Sequence, residues 1–202
     1  MRYLLTSLIF LLLMSCGSYS KSQHFQSSEI KETIIINPYF SNPEKDYVYK
    51  ANIEVYNNSF GGIFIVKKIS AQEHRIVFTT EMGNKLFDFS FKENEFKVNS
   101  ILDELDRKIL INILEKDFRV LITKTLKSTA NFTQENTTIY KAVVNNKPHY
   151  YYKKDHLNKI IKTKGRKEKI TYTFSKISDN IAKEINIIHN NIKLKISLKS
   201  IN

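Results

Sequence analysis

Apolar and polar residues alternate with a period of two from Tyr47 onward, the spacing of an extended strand with one buried face. Tyr47, Tyr49, Ala51, Ile53 and Val55 share one face, and Val48, Lys50, Asn52, Glu54 and Tyr56 the other. A turn over 57–62 follows, and then four runs rich in Ile, Val and Phe: Ile63 to Val66, Arg75 to Phe78, Leu86 to Phe91 and Phe96 to Val98. Gly, Asn, Gln and Glu separate these runs, which predicts an antiparallel meander. Between Phe78 and Leu86 lies a short loop, Thr79-Thr80-Glu81-Met82-Gly83-Asn84. A methionine there is unusual, because turn tips are normally polar. Either Met82 folds back over the sheet edge, or the loop presents an apolar side chain to something outside the fold.

The period changes from Ser100 to about Phe118. Leu102, Leu105, Ile109, Ile113 and Leu114 recur at steps of three and four, which predicts an amphipathic helix packed on the sheet. Ser100 and Asp103 have capping-box spacing, and Glu104 and Asp106 suit a helix N-terminus. The polar run 126–136 reads as a loop. Strand patterns resume at Thr137 to Val144, Tyr150 to Tyr152, Ile160 to Lys162, Ile170 to Phe174, Ile185 to Ile188 and Ile192 to Leu198. Asn145-Asn146, the Gly165 hairpin and His189-Asn190-Asn191 supply turns. Nothing alternates strand with helix in the parallel manner. The expectation is a mainly β protein: a curled antiparallel sheet or half-open barrel of about nine to ten strands, covered by an amphipathic helix.

Composition narrows the class. The 202 residues are 42% apolar and 26% charged, which is globular, and one domain over 32–202 accommodates them. The net charge of +12 points to an anionic partner or surface. Eleven Lys or Arg between Lys141 and Lys176 face only Asp155 and Glu168, with Tyr140, Tyr150, Tyr151 and Tyr152 interleaved. Such a stretch fits an anionic lipid headgroup, and Lys164, Arg166 and Lys167 on the Gly165 hairpin are its candidate contacts. A generally basic solvated surface and single-stranded nucleic acid are the other readings. An exported chain rarely meets nucleic acid, so none is expected.

That export is read from the N-terminus. Met1-Arg2 precedes an apolar run of 12 residues, Tyr3 to Met14, too short for the ~20 residues that span a bilayer. It reads as a signal peptide over residues 1–15. Leu13-Met14-Ser15-Cys16 resembles a bacterial lipobox, and Cys16 is the chain's single cysteine. The resemblance implies cleavage before Cys16, a diacylglycerol thioether on its sulfur and usually an acyl chain such as palmitate on its amine. Several acyl chains at about 0.8 kcal/mol per buried CH₂ make a permanent anchor. A signal peptide that merely ends near a cysteine is the alternative. Gly17 at the next position favours the outer membrane, and the periplasmic face is expected. Residues 16–31, rich in serine, read as the lipidated cysteine and a flexible tether.

Catalytic chemistry finds little support, and no enzyme is expected. His24, His74, His149, His156 and His189 are scattered, so no metal and no cofactor beyond the lipid on Cys16 is expected. There is no Gly-x-Ser-x-Gly and no phosphate-cradling glycine loop.

Taken with the lipobox, the run Gly62-Ile63-Phe64-Ile65, His74 to Phe78, Thr80-Glu81-Met82-Gly83 and Leu86-Phe87-Asp88-Phe89 resembles the outer-membrane lipoprotein receptor LolB and its soluble carrier relative LolA. The alternation from Ile192 to Leu198 resembles that family's last strand. The chain departs from the family in having no tryptophan and in its basic C-terminal half. The resemblance implies a greasy concave face that takes acyl chains, which here would be lined by Tyr49, Ile53, Phe64, Ile76, Phe78, Phe87 and Phe89. It implies a lid around Leu105, Ile109 and Ile113, and a membrane-insertion loop at Met82 and Gly83. Its implied partners are membrane lipid and other lipoproteins or a LolA-like carrier, with the protein itself a monomer aiding lipoprotein insertion. The alternative from another class is a structural envelope lipoprotein whose basic face grips anionic lipid or polymer.

Overall fold

The computed structural model describes residues 18–29 and 32–201. The expected signal peptide and Cys16 lie outside the described residues. Fifteen strands and two helices are formed among those described, more strands than the sequence pattern suggests. The N-terminal part holds helix α1 (Tyr19–Ser22) and strands β1 (Gln26–Ser27) and β2 (Ile34–Ile36). A first meander follows: β3 (Asp46–Val55), β4 (Asn58–Lys68), β5 (Glu73–Thr79), β6 (Lys85–Lys92) and β7 (Glu95–Ile101). Helix α2 (Lys108–Ile122) and strand β8 (Thr125–Lys127) lead to a second meander. It comprises β9 (Ala130–Gln134), β10 (Thr137–Val144), β11 (Lys147–Lys153), β12 (Leu157–Lys164), β13 (Lys167–Ser178), β14 (Ile181–His189) and β15 (Leu194–Ser200).

Thirteen strands form one antiparallel sheet in the order β1-β9-β10-β11-β12-β13-β14-β15-β3-β4-β5-β6-β7. The two meanders are joined by β15 against β3, where Ile196 lies opposite Ile53. Strands β1 and β7 are its two edges, so the sheet curls without closing. Strands β2 and β8 pair separately.

Helix α2 lies across the concave face. Leu110, Leu114, Phe118 and Leu121 form its buried stripe. Phe118 is fully buried, with its ring centroid 5.2 Å from Phe64 and 5.8 Å from Phe87. Truncating one such aromatic in a packed core costs about 3–5 kcal/mol. The helix starts later than its sequence period suggests. Residues 95–101 extend β7 instead, with Ile101 opposite Phe87, because ladder pairing satisfies the backbone groups that a helix would otherwise bond. The expected cap at Ser100 does not form; Arg107 occupies the N-cap without a side-chain bond.

Two further segments differ from the expectation. The run 126–136 contains β9, which pairs with β10, and Phe132 packs on a second, outer cluster. Residues 18–27, read as tether, are docked. Tyr151 of β11 points into the main core, so its neighbours Tyr150 and Tyr152 point outward, and α1 covers them. Tyr19 is buried there, donating a 2.6 Å hydrogen bond to Glu168, and β1 pairs with β9.

Candidate functional site

Alternation along an antiparallel meander sends every second connection to the same end of the sheet. Connections 56–57, 80–84, 145–146, 165–166 and 190–193 therefore gather at one end. This end carries both of the loops singled out by the sequence.

The loop 80–84 is ordered by its own hydrogen bonds. The Thr80 N–H donates to the Asn84 carbonyl at 2.8 Å, the Gly83 N–H to the Thr80 carbonyl at 3.0 Å, and the Asn84 N–H to the Thr80 hydroxyl at 3.1 Å. Gly83 adopts φ 88°, which a side chain would resist. Glu81 pairs with Lys50 at 2.9 Å and ties the loop to β3. Met82 is left at the tip with 92% of its surface exposed. It does not fold back over the sheet edge. The approach of this loop to β4 also needs Gly62, where a Cβ would lie 1.9 Å from the Thr79 carbonyl oxygen. At the same end, Gly165 at φ 61° turns the β12–β13 hairpin and presents Lys164, Arg166 and Lys167 to solvent.

The residues expected to line an acyl cavity are together, but on one another. Tyr49, Ile53, Phe64, Ile76, Phe78, Phe87 and Phe89 are all buried in a single cluster with Phe118. Phe87 and Phe89 stack at 4.5 Å. The concave face is apolar, and α2 fills it. Of the expected lid residues, Leu105 is buried in the turn ahead of α2, Ile113 is half-buried, and Ile109 is 73% exposed. The stripe that touches the core is the one containing Leu110, Leu114 and Phe118. The difference follows from the late helix start.

Polar bonds also fasten α2. Asp117, buried at its middle, accepts from the Tyr172 hydroxyl at 3.0 Å and lies 2.6 Å from His189 Nε2. Burial pushes the Tyr172 phenol well above its ordinary pKa, and the neighbouring Asp117 adds to this, so it stays a donor. Arg119 donates to the Glu93 carbonyl at 2.7 Å, tying the helix to the β6–β7 turn. Beside Asp117 opens a pocket of about 320 Å³ walled by lysines. Spacing along the chain does not reveal this constellation, because its members come from five separate elements, α2 and β11 to β14. The dense lysines of 141–176 were the only signal.

Among the described residues no group of three or more His, Cys, Asp or Glu is arranged to hold a metal ion. No helix there is long and apolar enough to cross a membrane.

No protein-family model matches the sequence, and no curated protein does. Among solved structures, a LolA superfamily protein from Nitrosomonas europaea matches with a TM-score of 0.52 at 7% identity. The match covers 82% of this chain and 88% of that one. An unclosed, curled antiparallel sheet around a helix is thus a LolA-like fold.

Proposed function

We propose that this is a lipid-anchored envelope protein, attached through Cys16 at the periplasmic face of the outer membrane, that takes acyl chains beneath α2 and helps lipoproteins insert. It is a binding protein and not an enzyme. The observation that carries the reading is α2 itself: one helix lies across the apolar concave face of a LolA-like sheet, its apolar stripe packed on the core and its Asp117 and Arg119 bonded to neighbouring elements. An acyl chain contributes about 0.8 kcal/mol per buried CH₂, so it exchanges for the stripe Leu110, Leu114, Phe118 at little net cost. Met82 and the basic hairpin at one end of the sheet supply a membrane-facing rim.

The test is native mass spectrometry of the mature chain mixed with a diacylglyceryl peptide. The expected result is a one-to-one complex, lost in Phe118→Glu. A chain that folds and takes no acyl ligand at saturating concentration overturns the reading. The tight packing of Phe64, Phe87 and Phe118 favours a second reading, an envelope lipoprotein that grips anionic lipid at its basic end and keeps its interior dry.

A further inference from the structure

The lysine-walled pocket sits at the mouth of the concave face, between the middle of α2 and the ends of β11 to β14. Five lysines line it: Lys116 from α2, Lys147 from β11, Lys162 and Lys164 from β12, and Lys169 from β13. They face one carboxylate, Asp117, whose two oxygens are already engaged by Tyr172 and His189. None of the five takes part in an ion pair among the described residues, whereas Lys50, Lys67, Lys85, Lys127 and Lys176 all do.

Convergence of unpaired ammonium groups is unfavourable without a counter-charge, and the register enforces it. Lys162 lies opposite Ile170 and His149, a register shift follows at Thr163, and Lys164 pairs with Lys167. Lys162 is half-buried, and burial lowers its pKa, with Lys116 and Lys147 lowering it further while Asp117 opposes them. Thr163, on the same wall, has a buried hydroxyl with no hydrogen-bond partner among the described residues.

We propose that this pocket binds a phosphoryl group, with Lys116, Lys147, Lys162, Lys164 and Lys169 supplying charge-assisted hydrogen bonds to its oxygens. A volume of about 320 Å³ admits a phosphate diester with its glycerol substituent as well as a free phosphate. The site stands whether or not acyl chains enter the interior. Its position gives it a consequence for that reading: a headgroup held here directs its own acyl chains toward the stripe of α2. The diacylglyceryl cysteine of a lipoprotein carries no phosphate, so the ligand of this pocket is chemically distinct from that anchor.

The test uses the full-length chain in neutral maltoside micelles, titrated calorimetrically with inorganic phosphate, pyrophosphate and dihexanoyl phosphatidylglycerol. The paired variant Lys162→Gln/Lys169→Gln is compared with Lys183→Gln/Lys195→Gln, which removes the same charge from exposed strand positions outside the pocket. The pocket pair is expected to weaken phosphoryl binding by about tenfold or more, and the control pair by about twofold or less. Lys147→Gln/Lys164→Gln, at exposed positions, gives the same comparison if the first pair fails to fold. Equal loss in pocket and control variants, or no binding of any of the three probes, overturns the site. Tighter binding of the phosphatidylglycerol, displaced by pyrophosphate, supports the headgroup as source. Equal or tighter binding of the inorganic anions supports a free phosphate.

Discussion

Buried ionisable residues, His149, His74 and Asp88 among them, set how the fold answers to acid. His149 is buried, its Nδ1–H donates to the Lys147 carbonyl at 2.9 Å, and its Nε2 has no hydrogen-bond partner among the described residues. Burial pushes its pKa down to about 4, so the native state holds it neutral while the unfolded chain protonates near 6.5. Its contribution is present above pH 6.5 and is lost as pH falls from there toward 4. Asp88 is buried on β6 and accepts from Arg75 at 2.9 and 2.7 Å, from Asn99 at 3.1 Å and from Lys85 at 3.3 Å. The hydrogen bonds from Arg75 are the largest cause that lowers its pKa to about 2. Its contribution of roughly 2 kcal/mol is present above the unfolded value near 4 and is lost below it. Chemical denaturation from pH 8 to 3 is therefore expected to show stability falling in two stages. His149→Leu should reduce the upper stage, to which His74 also contributes because burial lowers its pKa, and leave the lower one, and an unchanged upper stage in that variant sinks the assignment.

At the scale of elements, α2 is both a cover and a fastening. Leu110, Leu114 and Phe118 pack on the sheet, whereas Asp117 accepts a hydrogen bond from Tyr172 on β13 and lies 2.6 Å from His189 on β14. Asp117 therefore acts as a latch that any opening of the helix has to break. Asp117→Asn is expected to lower stability by about 1–3 kcal/mol. It should also speed exchange of the α2 amides, and raise acyl-ligand uptake relative to the wild type. Lower stability without faster α2 exchange would mean the network is a general core feature and not a latch. The sequence showed the strands of both meanders well, because one face of each is buried and alternation is then strict. It misplaced the start of α2, because Leu102 and Leu105 continue the helical spacing through residues that in fact form a strand end and a turn. It missed β9, where Phe132 is the one large apolar residue among Asn131, Thr133 and Gln134 and serves the outer cluster. The docked α1 was hidden in a serine-rich run, where Tyr19 and Phe25 were the only signs that Tyr150 and Tyr152 needed a cover.

For the whole molecule, the candidate site was legible only in its local parts. Met82 and the Gly165 hairpin stood out by their own composition, and their placement at one end followed once every strand was counted. The lysine pocket was not legible, because five elements had to converge to build it. The shared end makes a prediction with two separable components, since apolar insertion and headgroup attraction respond differently to salt. Attraction between exposed charges weakens as the Debye length shortens to about 10 Å at 0.1 M, whereas burial of a methionine side chain does not. The mature chain with Cys16→Ser, which carries no lipid, is expected to bind vesicles containing phosphatidylglycerol more tightly than neutral ones. Reversing charge at Lys164, Arg166 and Lys167 should abolish that preference at low salt and change little at high salt. Met82→Glu should weaken binding at both salt concentrations without altering the melting temperature, because the side chain contacts solvent and not core. It should also leave lipoproteins stranded before outer-membrane insertion in cells. If Met82→Glu binds as the wild type does at high salt, the loop does not enter the membrane, and only the charged rim meets the bilayer.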